Sequence, residues 1–436
     1  VHLDNRRRRP RHTGRMRIML LTAGTRGDVE PFAALARHAV ARGHEVRLAL
    51  PDDAAAPDGV DSVPLGLDVQ RMLTPRGRTP LALARHLRVE VRPAMQRMLA
   101  AAVRESIAFA PDVVVHHPLV LSAPMVADAL GVPRVLVEFA PVATASERIP
   151  AAGGPTATRD LGAANRFTYA VPRAAARLFD TDVARAAAEL PGGRRPAHRT
   201  ASSAVLMAVS PTLLPRPDDW PARVHQTGAW YDGADEAGAD AAVRDFLRGG
   251  PSVVASFGSM AVGDATARGA AVVAAARAHG FRVLLVTGWG GLALPTGGAD
   301  DDVLAVRSVP FDAVLPHATL VVHHGGAGTS HAVARAGVPA VVVPVTADQP
   351  FWAAQLHRQG VAAAPVPLRR VSADTLGRAM GDALSRRGRA AEVGRAVRRE
   401  QGVQRAVDVL ESIGAGSTSD VVGPPSGSVR ASAGGP

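Results

Sequence analysis

Residues 323–329, HHGGAGT, set two histidines and three glycines between an apolar run (318–322) and a small-residue stretch (330–337) of helical character that Gly337 stops. Such a turn suits an anion. Glycines let the main chain approach a ligand closely, and the free N–H groups and positive dipole end of the following helix favour a phosphate or diphosphate. A second apolar run, 340–345, leads to Asp348 and Gln349, an acid and an amide placed where hydroxyl groups can be gripped. The ligand these features describe is a diphosphate carrying something polyhydroxylated. Asp348 also reads as the N-cap of a helix beginning near Pro350, and the two uses are compatible.

The elements that must hold these residues follow from the rest of the chain. Short β-branched runs alternate with Ala-rich helical patterns, as in parallel sheets covered on both faces. Strands are expected at 18–22, 45–50, 113–116 and 134–138, and again at 253–257, 283–287, 304–306, 320–323 and 340–345. A helix is expected over 31–42 and another over 390–413. Pro211, Pro215, Pro217 and Pro221 interrupt regular structure between the two sets, which suits a connector. The expected organisation is a basic extension (1–15), a first domain (16–211), a linker (212–223), a second domain (224–389), a terminal helix (390–413) and a Gly/Ser/Pro-rich tail (414–436), with both ends disordered.

Composition narrows the classes. A chain of 436 residues with 47% hydrophobic content can bury two ordinary cores. It has no cysteine, so disulfides and thiolate metal sites are out, and a reducing cytoplasm is the expected location. The formal charge of +11 is carried by arginine alone. Nearly half of it falls in residues 1–15, where six arginines face Asp4; the remainder is scattered, and aromatics make up only 4%. No basic stretch is interleaved with stacking rings, so nucleic acid is not the expected partner. No apolar run approaches the ~18 residues of a membrane span, so no stable membrane insertion is expected.

The donor block resembles the signature of nucleotide-sugar-dependent glycosyltransferases of the two-domain GT-B fold, in the bacterial branch that decorates antibiotics and other natural products, with sterol glucosyltransferases nearby. RIMLLTAGTRGDVEP (17–31), TLLPRPDDWPARVHQTGAW (212–230), SFGSM (256–260), TGWGGL (287–292) and SVPFDAVLPHA (308–318) are similar to that branch in the expected order, so the likeness spans about 16–395. It implies an α/β architecture of two Rossmann-like domains facing across a cleft, acceptor on the first and donor on the second. A start at Met16 would suit the family pattern.

By the same resemblance, His324 contacts the diphosphate while His323 packs as the end of its strand. Gly325, Gly326, Gly328 and Thr329 supply the cradle. Ser308 and Val309 hold the base, and Asp348 and Gln349 bind sugar hydroxyls; Trp289, an aromatic in a glycine loop, either flanks the nucleoside or lids the core. Gly258 and Ser259 follow a strand where they meet the β-phosphate; read alone, that segment is a strand-to-helix turn with a serine cap. Many relatives carry a histidine base after the first strand. The matching residue here is Asp28, as in the antibiotic branch, although Asp28 could also cap the helix after it. A carboxylate of ordinary pKa, about 4, is a weak base.

Arg26, His117, Glu138 and Phe139 are the acceptor-side candidates, since each follows a strand at the cleft edge. His116 and His117 lack a third ligand for a metal, and the acidic run Asp300–Asp302 reads as a surface turn, so no metal and no other cofactor is expected. The expected activity is inverting transfer of a sugar from a dTDP- or UDP-sugar to a small lipophilic aglycone by a monomer or weak homodimer. The alternatives are a sterol or lipid glucosyltransferase, a nucleotide-sugar epimerase, and a non-catalytic sugar-nucleotide-binding partner. Loops near 70–91 and 144–199, the second opening as a flap rich in Gly, Ala and Thr, would select the acceptor.

Overall fold

The structure is a computed structural model that describes residues 14–73, 79–190, 201–231, 233, 238–258, 263–294 and 300–415. Most of the expected basic extension and tail, Ser259, and parts of both acceptor loops lie outside these residues.

The first sheet holds β1 (Arg17–Leu21), β2 (Glu45–Leu50), β3 (Asp61–Pro64), β4 (Val113–His116), β5 (Arg134–Glu138), β6 (Ala204–Met207) and β7 (Val224–Gln226), in the order β3-β2-β1-β4-β5-β6-β7. The second holds β8 (Ser252–Ser256), β9 (Arg282–Val286), β10 (Val303–Val306), β11 (Leu320–His323) and β12 (Ala340–Val342), in the order β10-β9-β8-β11-β12. All pairings between these strands are parallel. Central strands such as VVVH and LVVH are buried on both faces, which is why they read as unbroken apolar runs rather than alternating ones. Each such Val or Leu contributes roughly 1.5–3 kcal/mol.

In both sheets the chain winds outward from a central strand in opposite directions. The reversal falls between β1 and β4 in the first sheet and between β8 and β11 in the second. Loops beyond the carboxyl ends of such strand pairs splay apart and leave a crevice for ligands. Asp28 and His117 follow β1 and β4, and Gly258 and His324 follow β8 and β11. The topology therefore brings the candidate residues of each domain to a switch point.

Several expectations need correction. The stretch 212–223, expected to join the domains, instead joins β6 to β7, so the first sheet runs through Gln226. The helix expected from Pro31 begins five residues earlier, as Arg26–Ala41. Pro31 is tolerated inside because its missing N–H leaves only the Gly27 carbonyl, in the first turn, without a helical partner. The helix expected over 390–413 is two, Arg387–Arg398 and Gly402–Gly414, broken around Glu400. The first packs on the helix Ala327–Ala336 of the second domain. The second crosses to the first domain, where Val403, Ala406, Val407 and Leu410 join Phe32 and Leu35 in one core. Gly402 permits the crossing: a β-carbon there would lie 2.2 Å from the Ala229 carbonyl oxygen.

Candidate active site

Thr25 ends the loop after β1 in an extended conformation and begins the helix Arg26–Ala41, which puts Asp28 in its first turn. The Asp28 carboxylate reaches back: Oδ2 accepts the Thr25 N–H at 2.8 Å and the Thr25 hydroxyl at 3.3 Å. This is half of a capping box. The loop makes room for it at Gly24, whose φ is +129° and whose β-carbon would lie 2.2 Å from Oδ2. The side chain keeps 29% of its surface open. Burial pushes its pKa up to about 6, against the pull of the Thr25 N–H and hydroxyl. The folded carboxylate is thus more basic than the ordinary one its sequence context implies.

His117 lies across from it, Nε2 3.6 Å from Oδ1 of Asp28. Its ring stacks on Phe139 with centroids 6.0 Å apart and planes at 25°. Phe139 in turn meets Phe32 and Trp230 edge-on. Phe139 is therefore a partly buried wall shared by the cleft and the core. Glu138 does not face an acceptor. It is fully buried, and its carboxylate takes the N–H groups of Val142, Ala143 and Thr144 together with the Thr144 hydroxyl, so it shapes the loop after β5. Arg26 is exposed and paired with Glu30 one turn along its helix. Both border an interdomain groove of about 370 Å³ that Phe139, Tyr231 and His331 also line.

On the donor side three turns converge. Gly258, with φ +55°, follows β8, and its β-carbon would meet the His324 ring at 3.0 Å. Gly288 follows β9 so closely that a β-carbon would lie 2.2 Å from the Gly258 carbonyl oxygen. Trp289 donates its main-chain N–H to that same oxygen at 3.3 Å and is half-buried. After β11, Gly326 caps the helix Ala327–Ala336 and touches His324, whose Nε2 would be 2.7 Å from a β-carbon at Gly326. The first-turn N–H groups at Ala327, Gly328 and Thr329 have no partner within the helix. Burial drops the His324 pKa to about 4, partly offset by the Ser256 carbonyl, and Nδ1 has no partner. The ring is neutral at physiological pH. His323 is fully buried and accepts the Gly325 N–H, a structural role. Ser308 is exposed and Val309 buried beyond β10.

Asp348 sits just before the helix Gln349–Arg358 without capping it through its side chain. Ala347 ahead of it has φ +55°, a left-handed conformation costing a non-glycine residue roughly 1–2 kcal/mol. Gln349 holds that turn, its Oε1 accepting the N–H groups of Val345 and Thr346 at 2.8 and 3.0 Å. Burial pushes the Asp348 pKa up to about 7, and the negative charge of Asp28 across the cleft adds to the shift. The domains meet here: a β-carbon at Gly328 would lie 3.5 Å from Gly27 Cα. The geometry thus sets two carboxylates of raised pKa, Asp28 and Asp348, on either side of a cleft, beside a helix N-terminus of the kind that suits an anion.

Gly24, Thr25 and Gly288 are the site residues that sequence reading did not single out. Their signal was present, since Gly24 and Gly288 each follow a strand directly, but what a side chain there would strike is visible only in three dimensions.

Two family models match. The N-terminal domain of glycosyltransferase family 28 covers residues 18–147, and the C-terminal domain of erythromycin biosynthesis protein CIII-like proteins covers 295–404. The O-mycaminosyltylonolide 6-deoxyallosyltransferase of Streptomyces fradiae is 34% identical over 429 residues, covering 91% of this chain and 97% of that protein. The vancomycin aglycone glucosyltransferase of Amycolatopsis orientalis is 33% identical over 399 residues, covering 85% and 90%. Among solved structures, the glycosyltransferase VinC in complex with dTDP superposes with a TM-score of 0.61 at 22% identity, covering 92% of this chain and 100% of that one.

Proposed function

Since this chain belongs to the GT-B glycosyltransferases of the antibiotic-biosynthesis type, we propose that it moves a sugar from a nucleoside diphosphate, dTDP or UDP, to a hydroxyl of a small lipophilic natural-product aglycone, with inversion and without a metal. The observation that carries this reading is the placement of Asp28, pKa about 6, across the cleft from Asp348 and beside the first turn of Ala327–Ala336.

Asp28 takes the proton of the acceptor hydroxyl as its oxygen attacks the anomeric carbon. The bond from that carbon to the diphosphate breaks on the opposite face, which inverts the centre. Negative charge then grows on the β-phosphate, where the helix dipole and the first-turn N–H groups meet it, with the neutral His324 ring beside them. Asp348, in a turn held by the buried Gln349, grips sugar hydroxyls and fixes the anomeric carbon before Asp28. The N-terminus of the helix Ala327–Ala336, rather than a metal ion, offsets the charge on the β-phosphate. The O-mycaminosyltylonolide and vancomycin aglycone in the names of two relatives support this acceptor class.

Calorimetry with dTDP and UDP in EDTA, followed by mass spectrometry of reactions with dTDP- and UDP-sugars and a panel of macrolide and glycopeptide aglycones, tests this. A glycoside of inverted anomeric configuration formed in EDTA supports it. Donor cleavage only with added magnesium, or a retained configuration, overturns the corresponding part.

A further inference from the structure

We infer that His117 is a positioning residue for Asp28: an imidazole that presents its Nε2–H to Oδ1 of the base and takes no proton itself. The inference rests on the reading of Asp28 as the base.

The ring's tautomer is set by its other nitrogen. Nδ1 accepts the Leu119 N–H at 3.3 Å, so in the neutral ring the proton sits on Nε2. Asp28 Oδ1 lies 3.6 Å from that nitrogen, a long contact of the kind that tightens when substrate enters. The turn carrying His117 is fixed on several sides. Its N–H donates to the Leu21 carbonyl at 2.9 Å, its carbonyl accepts the Val120 N–H at 3.0 Å, and His116 Nδ1 lies 3.1 Å from that carbonyl. Phe139 covers one face of the ring. Thr25 already donates to Oδ2. When His117 closes on Oδ1, each carboxylate oxygen gains a donor of its own, and the carboxylate plane is held while lone pairs remain for the acceptor proton.

The same geometry excludes His117 as the base. One nitrogen carries a proton and the other is engaged by Leu119, so no lone pair is free. Burial lowers the ring's pKa to about 3 and keeps it neutral. The titratable groups facing Asp28 are His117, from the turn after β4, and Asp348, from the turn after β12.

The test compares wild type, His117→Phe, His117→Gln and Asp28→Asn, with dTDP-glucose or UDP-glucose and the best acceptor of the aglycone panel, reading kcat, donor KM and the pH profile. His117→Phe keeps a ring against Phe139 but no N–H. Its kcat should fall roughly a hundredfold, as for a misplaced reacting group, while donor KM stays within about twofold. Its acid limb should move up by about one pH unit, because the carboxylate loses a donor. His117→Gln restores an N–H and should recover at least about a tenth of wild-type kcat with the limb back in place. If His117→Phe does not fold, the His117→Gln values decide alone. Wild-type kcat and limb in His117→Phe would reduce the residue to packing. Complete loss of the acid limb would make His117 the base. Wild-type turnover by Asp28→Asn would instead sink the reading of Asp28, a separate failure.

Discussion

Gly24 and Asp28 compete for one space: a β-carbon at residue 24 would lie 2.2 Å from Oδ2 of Asp28. The glycine exists so that the carboxylate can fold back onto Thr25. Gly24→Ala should therefore displace the base and lower kcat roughly a hundredfold, while nucleotide binding by calorimetry stays at the wild-type value, since the cradle belongs to the other domain.

The raised pKa of Asp28 makes it a stability liability. Between its ordinary 3.8 and about 6 the folded state binds more protons than the unfolded one, so stability falls as pH rises through that window and the loss is complete above it. Asn cannot ionise. Asp28→Asn should be more stable than wild type by about 1–3 kcal/mol at pH 7.5 in urea unfolding, and the difference should close below pH 4. No gain at pH 7.5 would show that the carboxylate is not destabilised by folding.

The same shift sets the rate profile. Protonated Asp28 cannot accept a proton, so kcat should fall about tenfold per pH unit below an inflection near 6. An inflection near 4 would place the base in ordinary solvent.

Glu400 ties the domain crossing together. Its Oε1 accepts the hydroxyls of Ser210 and Thr212 at 2.7 and 2.8 Å, between the two terminal helices. Glu400→Ala leaves both hydroxyls without that acceptor and should cost about 1–3 kcal/mol by thermal or urea unfolding. Glu400→Gln, which keeps an acceptor oxygen, should recover most of it.

How much of this could be read from the chain depends on whether the cause was local. The strands 45–50, 113–116, 134–138 and 320–323 were legible because buried parallel strands are continuous apolar runs between turn residues. β3 and β7 were missed because DSVP and VHQ carry few apolar residues and are only partly buried; β6, a buried AVLM, was missed although its pattern resembles the others. Pro31 misled because proline usually opens a helix, and only the fold shows the turn already formed before it. In the site, the glycines and His324 announced a phosphate cradle by type and spacing. The strength of Asp28 as a base did not show, because the burial that raises its pKa comes from parts of the chain distant in sequence. Nor did the roles of Glu138 and His117, since two residues that end neighbouring strands look alike until their side chains are seen to turn, one into a loop and the other toward Asp28.

The central claim is that Asp28 is the base of a sugar transfer from a nucleoside diphosphate. Wild type and Asp28→Asn should be compared for glycoside formation under single-turnover conditions, with dTDP and UDP affinity measured on the same preparations. The account predicts nucleotide affinity within about twofold and transfer reduced by at least 10²-fold, the scale of general-base catalysis. Transfer by Asp28→Asn at the wild-type rate would contradict it.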